Sequence, residues 1–164
     1  MKYLLIILQL CILSSLTLHA SEWYSSYRKA RTTAIQQKKK LLIFFSGSDW
    51  CEAGRNLDRD LFKTSTFKRL AAQNYILYNA DFPKYSKLGQ EAEDQNRSLA
   101  RRYGIHSFPA VIIIEPRGCG LLVKQVGMNG VTPRTLLRKL ESTAGIKSTV
   151  PSGQKKKKIP ESRK

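Results

Sequence analysis

Trp50-Cys51-Glu52-Ala53-Gly54-Arg55 comes shortly after an apolar run, Leu41-Leu42-Ile43-Phe44-Phe45, and the two are separated by small and polar residues at positions 46–49. An apolar run of this length is too short for a buried helix, and it predicts a strand that is covered on both faces. Asp49 has a side chain suited to an N-cap, and Glu52 follows three residues later, as in a capping box. The stretch therefore predicts a buried strand, a short turn and a helix that begins next to Cys51.

A second segment, Gly104-Ile105-His106-Ser107-Phe108-Pro109-Ala110-Val111, leads into another apolar run. Together the two segments resemble the thioredoxin superfamily, in which Trp-Cys-x-x-Cys follows a buried strand and opens a helix. The second segment is similar to the one that carries that family's cis-proline. The resemblance covers about residues 22–144. It implies that the loop of Phe108 and Pro109 lies against the motif cysteine and that the backbone before the proline pairs with client peptides.

The rest of the chain follows the family's element order. The hydrophobic pattern predicts strands at residues 41–45, 75–81, 110–115 and 121–126. It predicts helices over residues 22–37, from 49 to about 71 with an interruption at 64–66, over 91–103, and from Thr132 onward, where Pro133 follows the N-cap. This alternation predicts an α/β fold with a four-stranded mixed sheet and helices on both faces. The resemblance implies that the fold is thioredoxin-like, with an extra N-terminal helix.

Gly54 stands where the resembled family has its second motif cysteine, so the usual disulfide within the motif cannot form. Cys51 could attack a client disulfide, but release would need an external thiol, another client cysteine or a redox partner. The resemblance therefore implies thiol–disulfide exchange on client proteins that contain cysteine. Isomerisation is favoured over net oxidation or reduction, because the attacking cysteine regains its electrons, as a free thiolate, when the client rearranges. The alternative is a redox-inactive binding or chaperone module that uses the groove between Trp50 and Pro109.

Cys51 is the candidate catalytic residue because a thiolate is the nucleophile in disulfide exchange. The free N–H groups of a helix N-terminus favour a negative charge, and Arg55, one turn further on, adds a cation. The carboxylates of Asp49 and Glu52 oppose ionisation of the thiol, unless they serve only as caps. We take Arg55, Asp49 and Glu52 as the residues that tune the thiol. A relic cysteine without activity is the alternative.

The resemblance implies that Trp50, Phe108 and Pro109 bind the substrate. Trp50 has a second interpretation, as a large side chain that covers the strand–helix junction. His106 lies near the proline loop, but the sequence offers no second ligand at the spacing of a metal site. We therefore expect no metal and no cofactor.

Residues 1–20 have the pattern of a secretory signal peptide, with Lys2, an apolar stretch and a small residue at Ala20. A retained anchor is the alternative, but the stretch is short for a span of about 20 apolar residues. Cleavage after Ala20 leaves one domain at residues 21–144 and a tail at 145–164. We expect an exported protein, periplasmic or extracellular, and such compartments are oxidising.

Cys119 is the second cysteine of the mature chain. It lies in a turn after the third predicted strand, which runs away from Pro109. At about 3.3 Å per residue, this turn lies roughly 25–30 Å along the chain from the end that holds Cys51. A disulfide needs Cα atoms within about 7 Å, so the two cysteines should not pair within one molecule. We expect an exposed turn thiol, and a bridge between two chains stays open.

The chain is strongly basic, with a formal net charge of +17. Residues 145–164 contain a run of lysines at 155–158 and almost no apolar residues, which predicts a disordered basic tail. The charge predicts attraction to an anionic envelope surface or to acidic clients. Neither a basic strand with interleaved aromatics nor a zinc-finger spacing accompanies it, so we expect no specific nucleic-acid binding. A scaffold that associates with membranes or polyanions through the tail is a third possible function.

Overall fold

The computed structural model describes residues 22–146. The predicted signal peptide at residues 1–20 lies outside this range, and so does the predicted tail at 145–164 except for its first two residues. No helix within residues 22–146 has the length and apolar character that crossing a membrane requires.

Five strands and five α-helices make up the described chain. The strands are β1 (Trp23–Tyr24), β2 (Lys40–Ser46), β3 (Tyr75–Asp81), β4 (Ala110–Ile114) and β5 (Leu121–Val126). The helices are α1 (Tyr27–Gln36), α2 (Glu52–Leu57), α3 (Ser65–Asn74), α4 (Gln90–Tyr103) and α5 (Pro133–Thr143). A π-helical turn, Asp58–Phe62, continues α2 toward α3. The predicted mixed α/β architecture is confirmed.

The strands form one sheet in the order β1-β3-β2-β4-β5. Strand β2 lies in the centre, parallel to β3 and antiparallel to β4, and β5 is antiparallel to β4. Phe45 near the end of β2 pairs with Ala110, the first residue of β4. Because Pro109 directly precedes Ala110, this register brings the proline loop and the segment after β2 to the same edge of the sheet.

The N-terminal segment differs from the prediction. We expected one helix over residues 22–37 and four strands, but Trp23 and Tyr24 form a fifth strand that runs parallel to β3. Ser26 then caps α1, and its Oγ accepts a hydrogen bond from the backbone N–H of Lys29 at 3.4 Å. The physical reason is that β3 offers an open edge to the extended backbone before Ser26, so pairing replaces the first helical turn.

Both faces of the sheet are buried, as the apolar run in β2 predicts. Leu41, Ile43 and Phe45 pack on the side of α1 and α4, whereas Leu42 and Phe44 pack on the side of α2, α3 and α5. Each of these five side chains is at most 5% exposed. Full burial of one large apolar side chain contributes about 1.5–3 kcal/mol. The central strand is therefore firmly held, and its carboxyl end is a fixed starting point for the loop that leads to Cys51.

Helix α5 begins as predicted and is tied to the sheet. Thr132 is its N-cap, with Pro133 in the first turn, and its Oγ1 accepts from the backbone N–H of Thr135 at 3.2 Å. The buried hydroxyl of Tyr75 in β3 donates to the carbonyl of Leu140 at 2.6 Å. Burial raises the pKa of Tyr75, so this hydroxyl stays protonated and keeps its donor role.

Candidate functional site

Cys51 occupies the N-cap position of α2, with an extended backbone at φ −89° and ψ 98°. Its backbone N–H donates to the carbonyl of Gly47 at 2.7 Å, and its own carbonyl accepts from the N–H of Arg55 at 3.1 Å. The residue is 7% exposed, and its thiol is free. Position and backbone are thus fixed from both sides, and the thiol lies at the helix end where the first N–H groups lack helical partners.

Asp49 does not cap α2, contrary to the prediction of a capping box. Its carboxylate instead accepts four hydrogen bonds from the loop after β3. The backbone N–H of Lys84 donates to Oδ1 at 2.9 Å, and those of Tyr85 and Ser86 donate to Oδ2 at 2.8 and 2.9 Å. The Ser86 hydroxyl adds a fourth bond at 3.2 Å. Three consecutive N–H groups outcompete the single bond that a cap would offer.

These bonds change the ionisation of Asp49. Loss of hydration would raise its pKa, but the donors of Lys84, Tyr85 and Ser86 outweigh that effect and lower the pKa from 3.8 to about 2. The carboxylate is therefore charged at neutral pH. It ties the loop after β3 to the residue that precedes Trp50.

Trp50 covers the junction between β2 and α2. Its indole N–H donates to the carbonyl of Phe82 at 2.7 Å, and its ring meets that of Phe108 edge-on with centroids 5.6 Å apart. The ammonium of Lys84 lies 4.5 Å from the centre of the indole. The indole also fills the space above Gly47, where an added Cβ would lie only 2.3 Å from the ring. The covering role is present in the structure, and client contact by Trp50 stays a prediction.

Cys51 and Pro109 converge on the position of Gly54. A Cβ placed on Gly54 would lie 3.5 Å from Sγ of Cys51 and 3.7 Å from Cβ of Pro109. These are ordinary van der Waals distances, and Gly54 lies within α2, so a side chain would fit there. The peptide bond between Phe108 and Pro109 is cis. Phe108 is half-buried and also packs against Phe82, with ring centroids 5.0 Å apart.

Arg55 is exposed and lines a cleft of about 410 Å³ beside α2, together with Trp23, Phe44 and Gly54. Within residues 22–146 its guanidinium has neither an ion pair nor a hydrogen bond. Glu52 is the first residue of α2 and is exposed. The influence of Arg55, Asp49 and Glu52 on the thiol remains a prediction.

A polar cluster that the sequence analysis missed fixes the turn before Cys51. Asp81 at the end of β3 accepts from the hydroxyl of Ser46 at 2.9 Å, from the backbone N–H of Ser48 at 2.9 Å and from the hydroxyl of Ser48 at 2.6 Å. Asn79 also accepts from the Ser46 hydroxyl, at 2.8 Å. The sequence did contain a signal for this cluster, because Asp81 ends one predicted strand and Ser46-Gly47-Ser48 follows its neighbour.

Cys119 is half-buried, which corrects the prediction of an exposed turn thiol. Its Sγ lies 3.9 Å from the hydroxyl of Tyr27 in α1, and its carbonyl accepts from the hydroxyl of Tyr103 at 3.3 Å. Helices α1 and α4 thus cover the turn between β4 and β5. The thiol is free, and the turn follows the end of β4 that lies away from Pro109.

His106 is an exposed residue of the loop between α4 and β4. Within residues 22–146, no group of three or more His, Cys, Asp or Glu side chains could hold a metal ion.

A family model described as Thioredoxin-like matches residues 22–116. The chain belongs to this thioredoxin-like family. It is 28% identical over 110 residues to the disulfide bond reductase DsbH of Chlamydia pneumoniae, an alignment that covers 67% of this chain and 63% of that protein. It is 23% identical over 92 residues to the thioredoxin-related protein DsbJ of the same organism, covering 56% of this chain and 26% of that one. The chain thus spans less than two thirds of the length of either relative.

Solved structures show the same fold. A DsbH oxidoreductase superposes with a TM-score of 0.68 at 24% identity, over 78% of this chain and 87% of that one. A thioredoxin from Thermus thermophilus gives 0.55 at 17% identity, over 75% and 86% of the two chains. A disulphide isomerase from Xylella fastidiosa gives 0.54 at 19% identity, over 78% and 98%. The predicted thioredoxin-like fold is confirmed, with five strands in place of four.

Gly47→Ala should destabilise the protein, because the new methyl group would lie 2.3 Å from the indole of Trp50 and would displace it from Phe82. We expect a loss of about 1–3 kcal/mol in the free energy of unfolding, measured by urea denaturation. Gly118→Ala is the matched control, since nothing lies within 4 Å of its added Cβ. Equal stability of the two variants would contradict the close approach of Trp50 to Gly47.

Asp49→Asn should lower stability in a pH-dependent way. Because the pKa of Asp49 is lower in the folded than in the unfolded chain, the carboxylate stabilises the fold above its ordinary pKa of 3.8. That advantage over the variant should be lost as the pH falls through about 2. Urea unfolding of both chains between pH 7 and pH 2 measures it. Glu52→Gln is the control, since the Glu52 carboxylate makes no hydrogen bond or ion pair within residues 22–146. A difference that stays constant with pH would refute the tether.

Proposed function

We propose that Cys51 performs thiol–disulfide exchange on client proteins that contain cysteine, and that the protein acts as a disulfide isomerase-like enzyme with a single reactive cysteine. The supporting observation is the free thiol at the N-cap of α2, directed with Pro109 toward a position occupied by glycine. The named activities of its relatives, a disulfide bond reductase and a disulphide isomerase, belong to the same class of reaction. The fold alone would not carry this proposal, because function depends on the site.

The reaction has two exchange steps that conserve electrons. The Cys51 thiolate attacks one sulfur of a client disulfide, an S–S bond forms between enzyme and client, and the other client sulfur leaves as a thiolate. A second client thiolate then attacks the mixed disulfide at the client sulfur. The new client disulfide forms, and Cys51 leaves as a thiolate. The client changes its pairing without net oxidation or reduction, and no cofactor takes part.

Gly54 determines which outcomes are accessible. Without a second thiol beside Cys51, the mixed disulfide cannot resolve within the motif, so net reduction of a client needs an external thiol or a redox partner. A dithiol motif releases its client quickly by closing a ring. A monothiol site holds the client until one of the client's own thiols attacks, and this favours rearrangement.

The low exposure of Cys51 supports a second candidate, a redox-inactive module that binds clients or acts as a chaperone. A residue that is 7% exposed offers a small target for a bulky disulfide. In this alternative the half-buried surface of Trp50 and Phe108 binds extended segments without exchange. The two candidates differ in whether Cys51 forms a covalent bond with a disulfide substrate.

We further propose that the protein acts outside the cytoplasm, after removal of residues 1–20, and that the basic tail at residues 145–164 attracts it to anionic envelope surfaces. The composition of these segments supports the proposal. Attraction through lysines in water weakens with salt, because the Debye length is about 10 Å at 0.1 M and about 3 Å at 1 M.

Gly54→Cys should convert the site into a dithiol motif. Its Cβ would lie 3.7 Å from Cβ of Cys51, close to the mean of about 3.8 Å in disulfides. We expect an intramolecular disulfide, seen as the loss of two free thiols, and faster insulin reduction in the presence of dithiothreitol. The wild-type chain should reduce insulin poorly but should rearrange a scrambled disulfide substrate.

Two variants control this experiment. Gly54→Ala adds a Cβ without a thiol, so its insulin reduction should stay at the wild-type level. Cys51→Ser should abolish the rearrangement of the scrambled substrate. Isomerase activity that survives in Cys51→Ser would exclude the catalytic proposal and favour the binding module.

A further inference from the structure

The loop after β3, residues 82–86, is attached to the segment of Cys51 at several points. The carboxylate of Asp49 holds the backbone N–H groups of three consecutive loop residues, and the indole of Trp50 holds the carbonyl of Phe82. Both anchors belong to the two residues that precede Cys51. We call residues 82–86 the tethered loop, because its backbone position is fixed relative to the thiol site.

Tyr85 lies within the tethered loop and is 82% exposed. The other aromatic residues of this region, Trp50, Phe82 and Phe108, are half-buried and pack against one another. The ring of Tyr85 makes no ring contact or hydrogen bond within residues 22–146. Its backbone is nevertheless fixed, since its N–H donates to Asp49 at 2.8 Å.

Exposure alone would not distinguish Tyr85, because single exposed apolar residues are common on protein surfaces. Tyr85 is distinguished by the combination of a fixed backbone and a ring without contacts. A tyrosine has two side-chain torsions, so it provides a large contact area at a low entropic cost, and anchoring of its backbone lowers that cost further. The anchor is a charged carboxylate that would otherwise be hydrated.

The structure favours Tyr85 over Trp50 for the client contact that the resemblance implies. The indole N–H of Trp50 is already bound by Phe82, and its ring covers Gly47 and meets Phe108. The indole is half-buried, so only part of it is accessible to a client. Tyr85 lies in the loop that leaves the same edge of the sheet, and it is 82% exposed.

We propose that Tyr85 is a specificity residue that packs against an apolar or aromatic side chain of the client next to the disulfide, and that Asp49 is its positioning residue. This inference rests on the proposed exchange reaction of Cys51. The partner is an extended client segment with an apolar residue near its cysteine. A small disulfide without such a residue gains nothing from Tyr85.

The test compares two substrates in the full mature chain. One is 2-hydroxyethyl disulfide, and the other is a disulfide-linked dimer of a short peptide with leucine and phenylalanine beside its cysteine. Mass spectrometry follows the rate at which each substrate forms a mixed disulfide with Cys51. The readout is the ratio of the peptide rate to the small-disulfide rate at low substrate concentration.

Tyr85→Ala should lower this ratio about two- to tenfold, the range expected for one aromatic contact. Tyr85→Phe should keep the ratio of the wild type, since it keeps the ring. Asp49→Asn should lower it as well, because it releases the loop. Leu122→Ala is the matched control, an exposed apolar residue near the other end of the sheet that should keep both rates.

A ratio for Tyr85→Ala that equals those of the wild type and Leu122→Ala would overturn the role of Tyr85 and leave the proposed function intact. A ratio that falls equally in Tyr85→Phe would show that the hydroxyl acts, and would overturn the apolar contact. A wild-type chain that reacts with neither substrate would remove the exchange reaction and the inference with it.

Discussion

Strand β2 is buried on both faces, and this burial determines where the helices and the neighbouring strands lie. Its side chains alternate between two cores, so helices must cover both sides of the sheet. Its pairing with β3 on one side and β4 on the other then fixes which loops meet at its carboxyl end. The register that pairs Phe45 with Ala110 brings Pro109 toward the residues after Ser46. The position of Cys51 beside Pro109 is therefore a consequence of sheet packing.

Polar contacts add precision at that edge. Asp81 fixes the turn before the thiol, and Asp49 fixes the loop after β3. Each carboxylate accepts hydrogen bonds from loop N–H groups, for which the loop backbone itself offers no acceptor. The result is a thiol whose surroundings are held from several sides but which has no second thiol at Gly54.

The sequence predicted the elements that local pattern determines. The strand before Cys51, the helix after it and the cap at Thr132 follow from apolar runs and capping chemistry. The prediction from sequence failed where a residue that is distant in the sequence determines the local structure. The local pattern predicted Asp49 as a helix cap, but its carboxylate accepts hydrogen bonds from three N–H groups that lie 35–37 residues further along the chain.

The same limit explains the other corrections. Trp23 and Tyr24 pair with β3 rather than extending a helix, and Cys119 lies under Tyr27, and neither partner is visible in local spacing.

The most direct test of the account uses a Cys119→Ser chain, incubated at neutral pH with a disulfide-linked peptide and then quenched with acid. We expect one mixed disulfide, mapped to Cys51, that persists until a thiol is added. A native chain that forms no adduct at Cys51, while the unfolded chain does, would contradict it.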